Sequence, residues 1–168
     1  MELRVSLANQ LKALSFLIFG TLLMLATLIV LDFQTAMLIS FGSIWFVLAL
    51  PSLYLHVEYL LINTNTVLEV GNNQLLLKTA SGAVNKIYSF DELRKIVLFK
   101  SASLDRGGFP MTPIEMYHYA RITTATGEEI IITCLMTPDV EEILKKIKRI
   151  SYERKKQLFS SINFSTNR

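Results

Sequence analysis

The chain has 168 residues, of which 51% are hydrophobic and 18% are charged. This length is enough for one or two domains, and the mean hydropathy of +0.40 is high for a protein that is soluble throughout. The net charge of +3 is small, and no aromatic platform accompanies the basic residues, so we expect no nucleic-acid partner.

The apolar residues are concentrated in two uncharged segments near the N-terminus. Neither residues 13–31 nor residues 33–55 contain a charged side chain. Each segment has about the 20 residues that a helix needs to cross a bilayer. A second long segment directly after the first argues against a cleaved signal peptide. The sequence therefore predicts a short N-terminal stretch over residues 1–12 and a two-helix transmembrane hairpin over residues 13–55.

Asp32 is the one charged residue between these two segments. The connection "LDFQT" is so short that the two helices must be antiparallel neighbours, which places Asp32 at the membrane surface. Aspartate suits a turn and the positive start of the next helix. We interpret Asp32 as the hairpin turn. The alternative is a proton or ion relay, for which neither segment supplies a second ionisable residue.

The basic residues indicate which side of the membrane the two termini occupy. Arg4 and Lys12 precede the first segment, and all the other lysines and arginines follow the second one. The positive-inside rule then predicts that both termini are cytoplasmic. A single cysteine, Cys134, fits a reducing compartment because it cannot form an internal disulfide.

After residue 55 the hydrophobic pattern alternates with period two, which is typical of strands. No helical pattern interrupts these segments, so an antiparallel barrel or sandwich is expected. Strands are predicted at residues 56–62, 67–70, 74–79, 84–89, 93–100, 115–124 and 128–135.

The pattern becomes helical from Thr137 to Phe159. Thr137 suits an N-cap and Pro138 suits the first helical position. We expect this helix to pack an apolar stripe on the open end of the barrel and residues 159–168 to form a flexible tail. The stripe consists of Val140, Ile143, Leu144, Ile147 and Ile150.

Seven strands followed by one amphipathic helix is the plan of the pleckstrin-homology (PH) fold. The stretches "EYLLINTNTVLEVGNNQLLLKT", "KIYSFDELRKIVLF" and "YARITTATGEEIIIT" resemble the bacterial PH-like domain family, and Ile87, Phe90, Glu92 and Leu93 occupy places comparable to its soft motif. The resemblance covers residues 56–158 and, with the hairpin, nearly the whole chain. It implies a membrane α-hairpin plus an α+β domain, a seven-stranded antiparallel barrel capped by a helix, in the bacterial cytoplasmic (inner) membrane.

No catalytic signature is present, so we expect a protein that is not an enzyme and uses no cofactor or metal. The spacing of His56, His118 and Cys134 does not favour a metal site. Gly107 and Gly108 lack the lysine and helix of a phosphate-binding loop. The "INTNTVLEV" loop carries no basic residue, so inositol-phosphate binding is not inherited from the fold.

Two candidate surfaces remain. The 101–115 loop is unusually long, and its apolar residues Phe109, Met111 and Ile114 are candidates for contact with a partner or the bilayer. Five basic residues are candidates for binding anionic lipid headgroups, although they also suit an ordinary solubilising surface. They are Lys145, Lys148, Arg149, Lys155 and Lys156.

These features predict a membrane-anchored binding module, an adaptor or small subunit that holds a membrane-protein partner at the bilayer. The sequence also leaves open whether the protein forms a homo-oligomer. The alternative is an accessory subunit of a transporter or secretion complex that uses the hairpin as its contact. A membrane enzyme is a third hypothesis, but paired polar groups at one depth are absent from the two apolar segments.

Overall fold

The structure, a computed structural model, describes residues 1–32, 35–147 and 152–165. Two long helices, α1 (Leu7–Val30) and α2 (Thr35–Asn63), form the predicted hairpin. The ranges Leu7–Val30 and Leu38–Asn63 are long and apolar enough to cross a membrane. At 1.5 Å per residue, α1 alone is ~36 Å long, compared with ~30 Å of hydrocarbon.

The other main elements form two four-stranded sheets. Sheet A has the order β1-β2-β3-β4, and sheet B has the order β7-β6-β5-β8. All pairs are antiparallel except β5 and β8, which are parallel. The strands are β1 (Glu2–Leu3), β2 (Thr66–Val70), β3 (Gln74–Thr79), β4 (Val84–Ser89), β5 (Leu93–Lys100), β6 (Tyr119–Thr124), β7 (Glu129–Thr133) and β8 (Tyr152–Lys156).

The main core lies between the two sheets and is closed on one side by α4 (Val140–Lys146). Alternate residues of the strands point inward, so that one face of each sheet is apolar. α4 adds three buried side chains from one helical face, Val140, Ile143 and Leu144. The fully buried strand residues of this core include Leu68, Leu75, Ile96, Ile122 and Ile132.

The predicted seven-stranded antiparallel barrel is only partly right. Among the described residues, hydrogen bonding joins strands within each sheet and does not close the two sheets into a barrel. The strands at residues 74–79, 84–89 and 93–100 lie where the sequence predicts them. The turn between β6 and β7 is also as predicted, and Gly127 in it has a φ of +83°.

The predicted strand over residues 56–62 is wrong, because α2 continues as one helix to Asn63. Leu55, Tyr59 and Asn63 are spaced four residues apart, so they lie on one helical face. All three are buried. Burial of this face explains the apolar content of the segment as well as a strand does. The division predicted at residue 56 therefore lies inside a helix.

The predicted continuous helix from Thr137 to Phe159 is also wrong. It is confirmed only as the short α4, whereas residues 152–156 form β8 beside β5. The sequence "YERKK" favours a helix by propensity, but the open edge of β5 supplies hydrogen-bonding partners for a strand. Lys95 and Glu153 add an ion pair across the two strands, at 3.0 Å.

β1 is a strand that the sequence does not predict, because its two residues are too few to show alternation. Leu3 pairs with Leu68 of β2 and is buried in the main core. The N-terminal stretch over residues 1–12 is therefore built into sheet A and the start of α1.

α1 and α2 contact each other through Gly20 and Trp45. The indole Nε1–H of Trp45 donates to the Thr21 hydroxyl at 3.1 Å. A Cβ added at Gly20 overlaps the Trp45 ring, whereas a Cβ at Gly42 has no neighbour within 4 Å. Gly20 is therefore required for the close approach of the two helices.

The two glycines give a matched test of this contact. Gly20→Ala should lower the stability of the hairpin by about 1–3 kcal/mol, because the added methyl group overpacks the helix contact. Gly42→Ala, which adds the same group to open space, is the control and should not lower stability. Thermal unfolding of both variants in detergent measures the difference. Equal melting temperatures would contradict the proposed contact.

Candidate functional site

The membrane-proximal end of the domain is formed by the last turns of α2 lying on the outer face of sheet B. Tyr59 is fully buried there, with ring centroids 5.6 Å from Tyr117 and 6.0 Å from Tyr119 in edge-to-face contacts. Leu55 is buried in the same cluster. Edge-to-face aromatic pairs each add about 0.5–1.5 kcal/mol beyond area burial. This cluster attaches the hairpin firmly to the domain.

α1 is attached to the same sheet by polar contacts. Ser6 caps the helix, and its side chain accepts from the backbone N–H of Asn9. The Asn9 side-chain amide donates to the carbonyl oxygens of Leu135 and Met136, at 3.3 and 3.0 Å. Both helices of the hairpin therefore contact sheet B or the segment that follows it.

The C-terminal segment, residues 157–165, folds back onto α2, although the sequence predicts a flexible tail from residue 159. Glu58 of α2 is buried and accepts three hydrogen bonds from this segment. The donors are the Ser161 hydroxyl at 2.9 Å, the Ile162 N–H at 3.2 Å and the Asn163 N–H at 3.0 Å. The Tyr59 hydroxyl donates to the Ser160 carbonyl at 2.6 Å. These bonds dock the segment and the short α5 (Ile162–Ser165).

Glu58→Ala should release the C-terminal segment while leaving the sheets folded. Hydrogen bonds to a charged group contribute about 1.5–3 kcal/mol each. We therefore expect the amides of Ile162 and Asn163 to exchange with deuterium at least about tenfold faster, since 1.4 kcal/mol is a factor of ten. Glu153→Ala removes an exposed ion-pair partner and is the control, with no expected change at those amides. Unchanged exchange in Glu58→Ala would contradict the docking.

The 101–115 loop contains more structure than the sequence indicates. It begins with the short α3 (Ala102–Asp105) and ends with a 3₁₀ turn at Pro113–Met116. Glu115 is buried beneath it, and its carboxylate accepts from the Ser103 hydroxyl at 3.0 Å and from the backbone N–H groups of Met111 and Thr112. One carboxylate thus ties both arms of the loop together and fixes its tip.

The three predicted contact residues of the loop differ in position. Phe109 is 93% exposed and Met111 is 82% exposed, so both lie at the tip with no covering surface. Ile114 is half-buried and packs against the cluster that contains Leu55 and Tyr59. The structure therefore brings Phe109 and Met111 together as an exposed apolar tip and places Ile114 at its base.

Three of the five predicted lipid-binding residues lie in the described part of the chain. Lys145 is exposed and lies 3.8 Å from Glu141, and Lys156 lies 3.2 Å from Asp105. Lys155 is exposed at 5.9 Å from the centroid of the Phe99 ring. Lys148 and Arg149 lie outside the described residues.

Asp32 lies at the end of α1, exposed, with its backbone N–H donating to the Ile29 carbonyl at 3.2 Å. Its φ of 50° is in the left-handed region, which aspartate tolerates better than most residues. Residues 33 and 34, which continue the predicted turn, lie outside the described residues, so the role of Asp32 as the hairpin turn stays a prediction.

The two histidines occupy different environments. His56 Nδ1 lies 3.1 Å from the Tyr117 hydroxyl. His118 lies between two backbone carbonyl oxygens, that of Met116 at 3.2 Å from Nδ1 and that of Pro138 at 3.1 Å from Nε2. Burial lowers the pKa of His118, and this effect outweighs the carbonyl contacts, which favour the charged ring.

Cys134 is buried, and its burial raises the pKa of the thiol to about 12. The side chain is therefore a protonated thiol at neutral pH and is shielded from reagents. Within residues 1–32, 35–147 and 152–165, the histidines, cysteine and carboxylates form no group of three positioned to hold a metal ion.

The lowered pKa of His118 predicts a specific pH dependence of stability. Below its ordinary value near 6.5, the unfolded chain binds a proton that the folded protein does not, so stability falls as the pH drops. The slope contributed by one such group is at most ~1.4 kcal/mol per pH unit. The melting temperature should therefore fall more steeply for the wild-type protein than for His118→Gln as the pH is lowered from 7.5 to 5.5. Parallel curves would contradict the lowered pKa of His118.

Sequence reasoning missed Glu58, Tyr59 and Glu115 as organising residues. The sequence predicts a strand for the stretch that contains Glu58 and Tyr59, and it places Glu115 where the 101–115 loop meets the predicted strand over residues 115–124. The spacing Leu55–Tyr59–Asn63 is the one signal for the helix that was available. The donors to Glu58 lie more than a hundred residues away in the chain, and they leave no pattern in the sequence. The donors to Glu115 are close in the chain, and the spacing of Thr112 and Glu115 matches a capping box.

Two long apolar helices, two four-stranded sheets and α4 define a membrane-associated module whose domain has PH-like elements. The chain belongs to the family whose model is described as PH domain, which matches residues 4–146. This match includes both apolar helices, β2 to β7 and α4, and it confirms the resemblance that the sequence showed. PH-like domains are generally binding modules without catalytic activity. Searches of the curated proteins and of the solved structures found no match.

Proposed function

We propose that this protein is a non-enzymatic adaptor or small subunit that holds a membrane-protein partner at the cytoplasmic face of the bacterial inner membrane. The family and the two apolar helices support a membrane-associated binding module. Arg4 before α1 and Lys12 near the start of α1 support the cytoplasmic orientation of the domain.

The observation that carries this proposal is the exposed tip formed by Phe109 and Met111. An apolar side chain that is nearly fully exposed gains most when a second surface covers it. The buried Glu115 carboxylate fixes the loop beneath the tip, so little ordering entropy is lost on binding. A fixed apolar tip therefore suits a pocket on a partner protein better than a mobile loop does.

The 3₁₀ turn after the tip also positions it. Ile114 and Met116 pack in the same cluster as Ala13 of α1 and Leu55 of α2. The tip is thus held beside the hairpin, where a partner embedded in the same membrane is within reach. Ile114 contributes to this contact by supporting the tip.

Photo-cross-linking in intact cells tests this function. A photoreactive amino acid at Phe109 should form one discrete protein adduct, because a specific partner covers the tip. The same amino acid at Ile87, an exposed apolar residue of β4, is the matched control and should form none. Met111→Ser should reduce the adduct from position 109 severalfold without changing the melting temperature. Adducts with lipid alone, or none, would reject the partner contact.

A second candidate function, an accessory subunit of a transporter or secretion complex, is favoured by the open surface of α2. Ala36 and Ser40 are both exposed and lie four residues apart on one helical face, and the Ser40 hydroxyl donates to the Ala36 carbonyl. This small-residue surface permits close approach of another helix. A photoreactive amino acid at Ile44, an exposed residue of α2 four positions after Ser40, tests this alternative. A protein adduct from position 44 and none from position 109 would favour it.

Lipid headgroups are a further proposed partner, alongside the protein. A cleft of about 230 Å³ between the start of α1 and sheet B is lined by Lys12, Lys100 and His118 as well as by Asp139. Lys145 lines the neighbouring cleft. Lysines at the start of a membrane-spanning helix favour an anionic leaflet by about 1 kcal/mol for each near-surface charge.

A further inference from the structure

An exposed apolar surface continues from α2 onto the docked C-terminal segment. The Tyr54 ring stacks on Phe159 at 6.0 Å and lies 6.4 Å from Phe164. Phe164 is 66% exposed and Leu158 is 61% exposed. These four residues are called the aromatic patch below.

Hydrogen bonds hold the backbone beneath the aromatic patch in a defined position. The backbone beneath it is fixed by the three hydrogen bonds to Glu58 and by the bond from Tyr59 to Ser160. Arg121 adds a bond from its guanidinium to the Ile162 carbonyl, at 3.2 Å. The fold therefore places exposed aromatic side chains at a defined position, although ordinary solubility would favour polar ones there.

The position of the patch indicates what covers it. Tyr54 belongs to α2, one residue before Leu55, where the buried contact with sheet B begins. On the preceding turns, Val47, Leu50 and Leu53 are exposed apolar side chains of the membrane-spanning helix. The patch is thus continuous with the lipid-facing surface of α2 and lies at its domain end. Tyrosine and other aromatic residues are enriched at this depth because their rings suit the boundary between hydrocarbon and water.

We propose that residues 158–164 form an interfacial anchor. Phe159, Phe164 and Leu158 lie in the headgroup region of the bilayer that the hairpin crosses, beside Tyr54. The ligand of this surface is the lipid itself, not a protein. The anchor adds a third membrane contact to the two helices and sets the tilt of the domain on the membrane.

Site-directed spin labelling of the full chain in phosphatidylcholine–phosphatidylglycerol vesicles tests the anchor. A nitroxide is placed at Phe164→Cys, at Phe46→Cys in the lipid-facing part of α2, and at Ile87→Cys in β4. Phe46 and Ile87 are both exposed in the protein, so they are matched references for lipid and water. The buried Cys134 should remain unlabelled, and the wild-type protein checks this.

The measured quantity is the ratio of accessibility to oxygen, which concentrates in lipid, and to a water-soluble nickel complex. At position 164 the ratio should lie between the values at positions 46 and 87, which places the label in the headgroup region. A ratio equal to that at position 87 would overturn the anchor. Protection from both reagents at position 164 would also overturn it, because a second copy or a partner protein would then cover the patch.

This result is separable from the proposed partner contact. The cross-link from position 109 reports on the loop tip, whereas the accessibility ratio at position 164 reports on the aromatic patch. A failure at one position leaves the other result unchanged.

Discussion

The packing of Tyr59 and Leu55 against the outer face of sheet B is the contact on which the rest of the structure depends. Because α2 is one continuous helix from Thr35 to Asn63, no linker separates the apolar hairpin from the domain. The buried face at the end of α2 attaches the hairpin directly to the sheet, and Pro51 inside α2 is the position where a kink is expected. The loop tip, the docked C-terminal segment and the start of α1 all lie around this contact.

This arrangement differs from a domain tethered by a flexible segment. Domains joined by linkers rotate relative to one another unless a large apolar interface fixes them. Here the interface includes aromatic rings, an amide bonded to two carbonyl oxygens, and a buried carboxylate with three donors. The surfaces that we propose for binding are therefore held in place relative to the two apolar helices.

Much of the fold could be predicted from the sequence because its signals are local. Continuous apolar runs identify the hairpin, and alternation identifies β3, β4 and β5 with correct bounds. The wrong secondary-structure predictions have one cause. In each case the local sequence is compatible with both a helix and a strand, and a contact with a distant part of the chain decides between them. Residues 152–156 have helical propensity, but the free edge of β5 makes them a strand. Residues 56–62 fit both periods, and burial against sheet B makes them a helix.

The candidate sites divide in the same way. Phe109 and Met111 are recognisable from an apolar motif within a glycine- and proline-rich loop, and both are exposed. Glu58 is not recognisable, because in the sequence it resembles an ordinary surface charge. Its hydrogen-bond donors lie more than a hundred residues away in the chain. Glu115 has the capping-box spacing with Thr112, but its hydrogen bond from Ser103 is not visible in the sequence. Buried polar groups of this kind are satisfied by tertiary structure, which no local pattern encodes.

β1 and β2 are adjacent antiparallel strands, yet the whole hairpin lies between them in the chain. In topological terms the two apolar helices replace the turn of a β-hairpin. Bringing the two ends of so long an insertion together costs conformational entropy in a flexible chain. Two paired antiparallel helices hold the ends of the insertion close together and so avoid most of this cost. Pairing of the two helices therefore lowers the entropy cost of adding β1 to sheet A. The hairpin thus contributes to the stability of the edge strand of the domain as well as to its attachment.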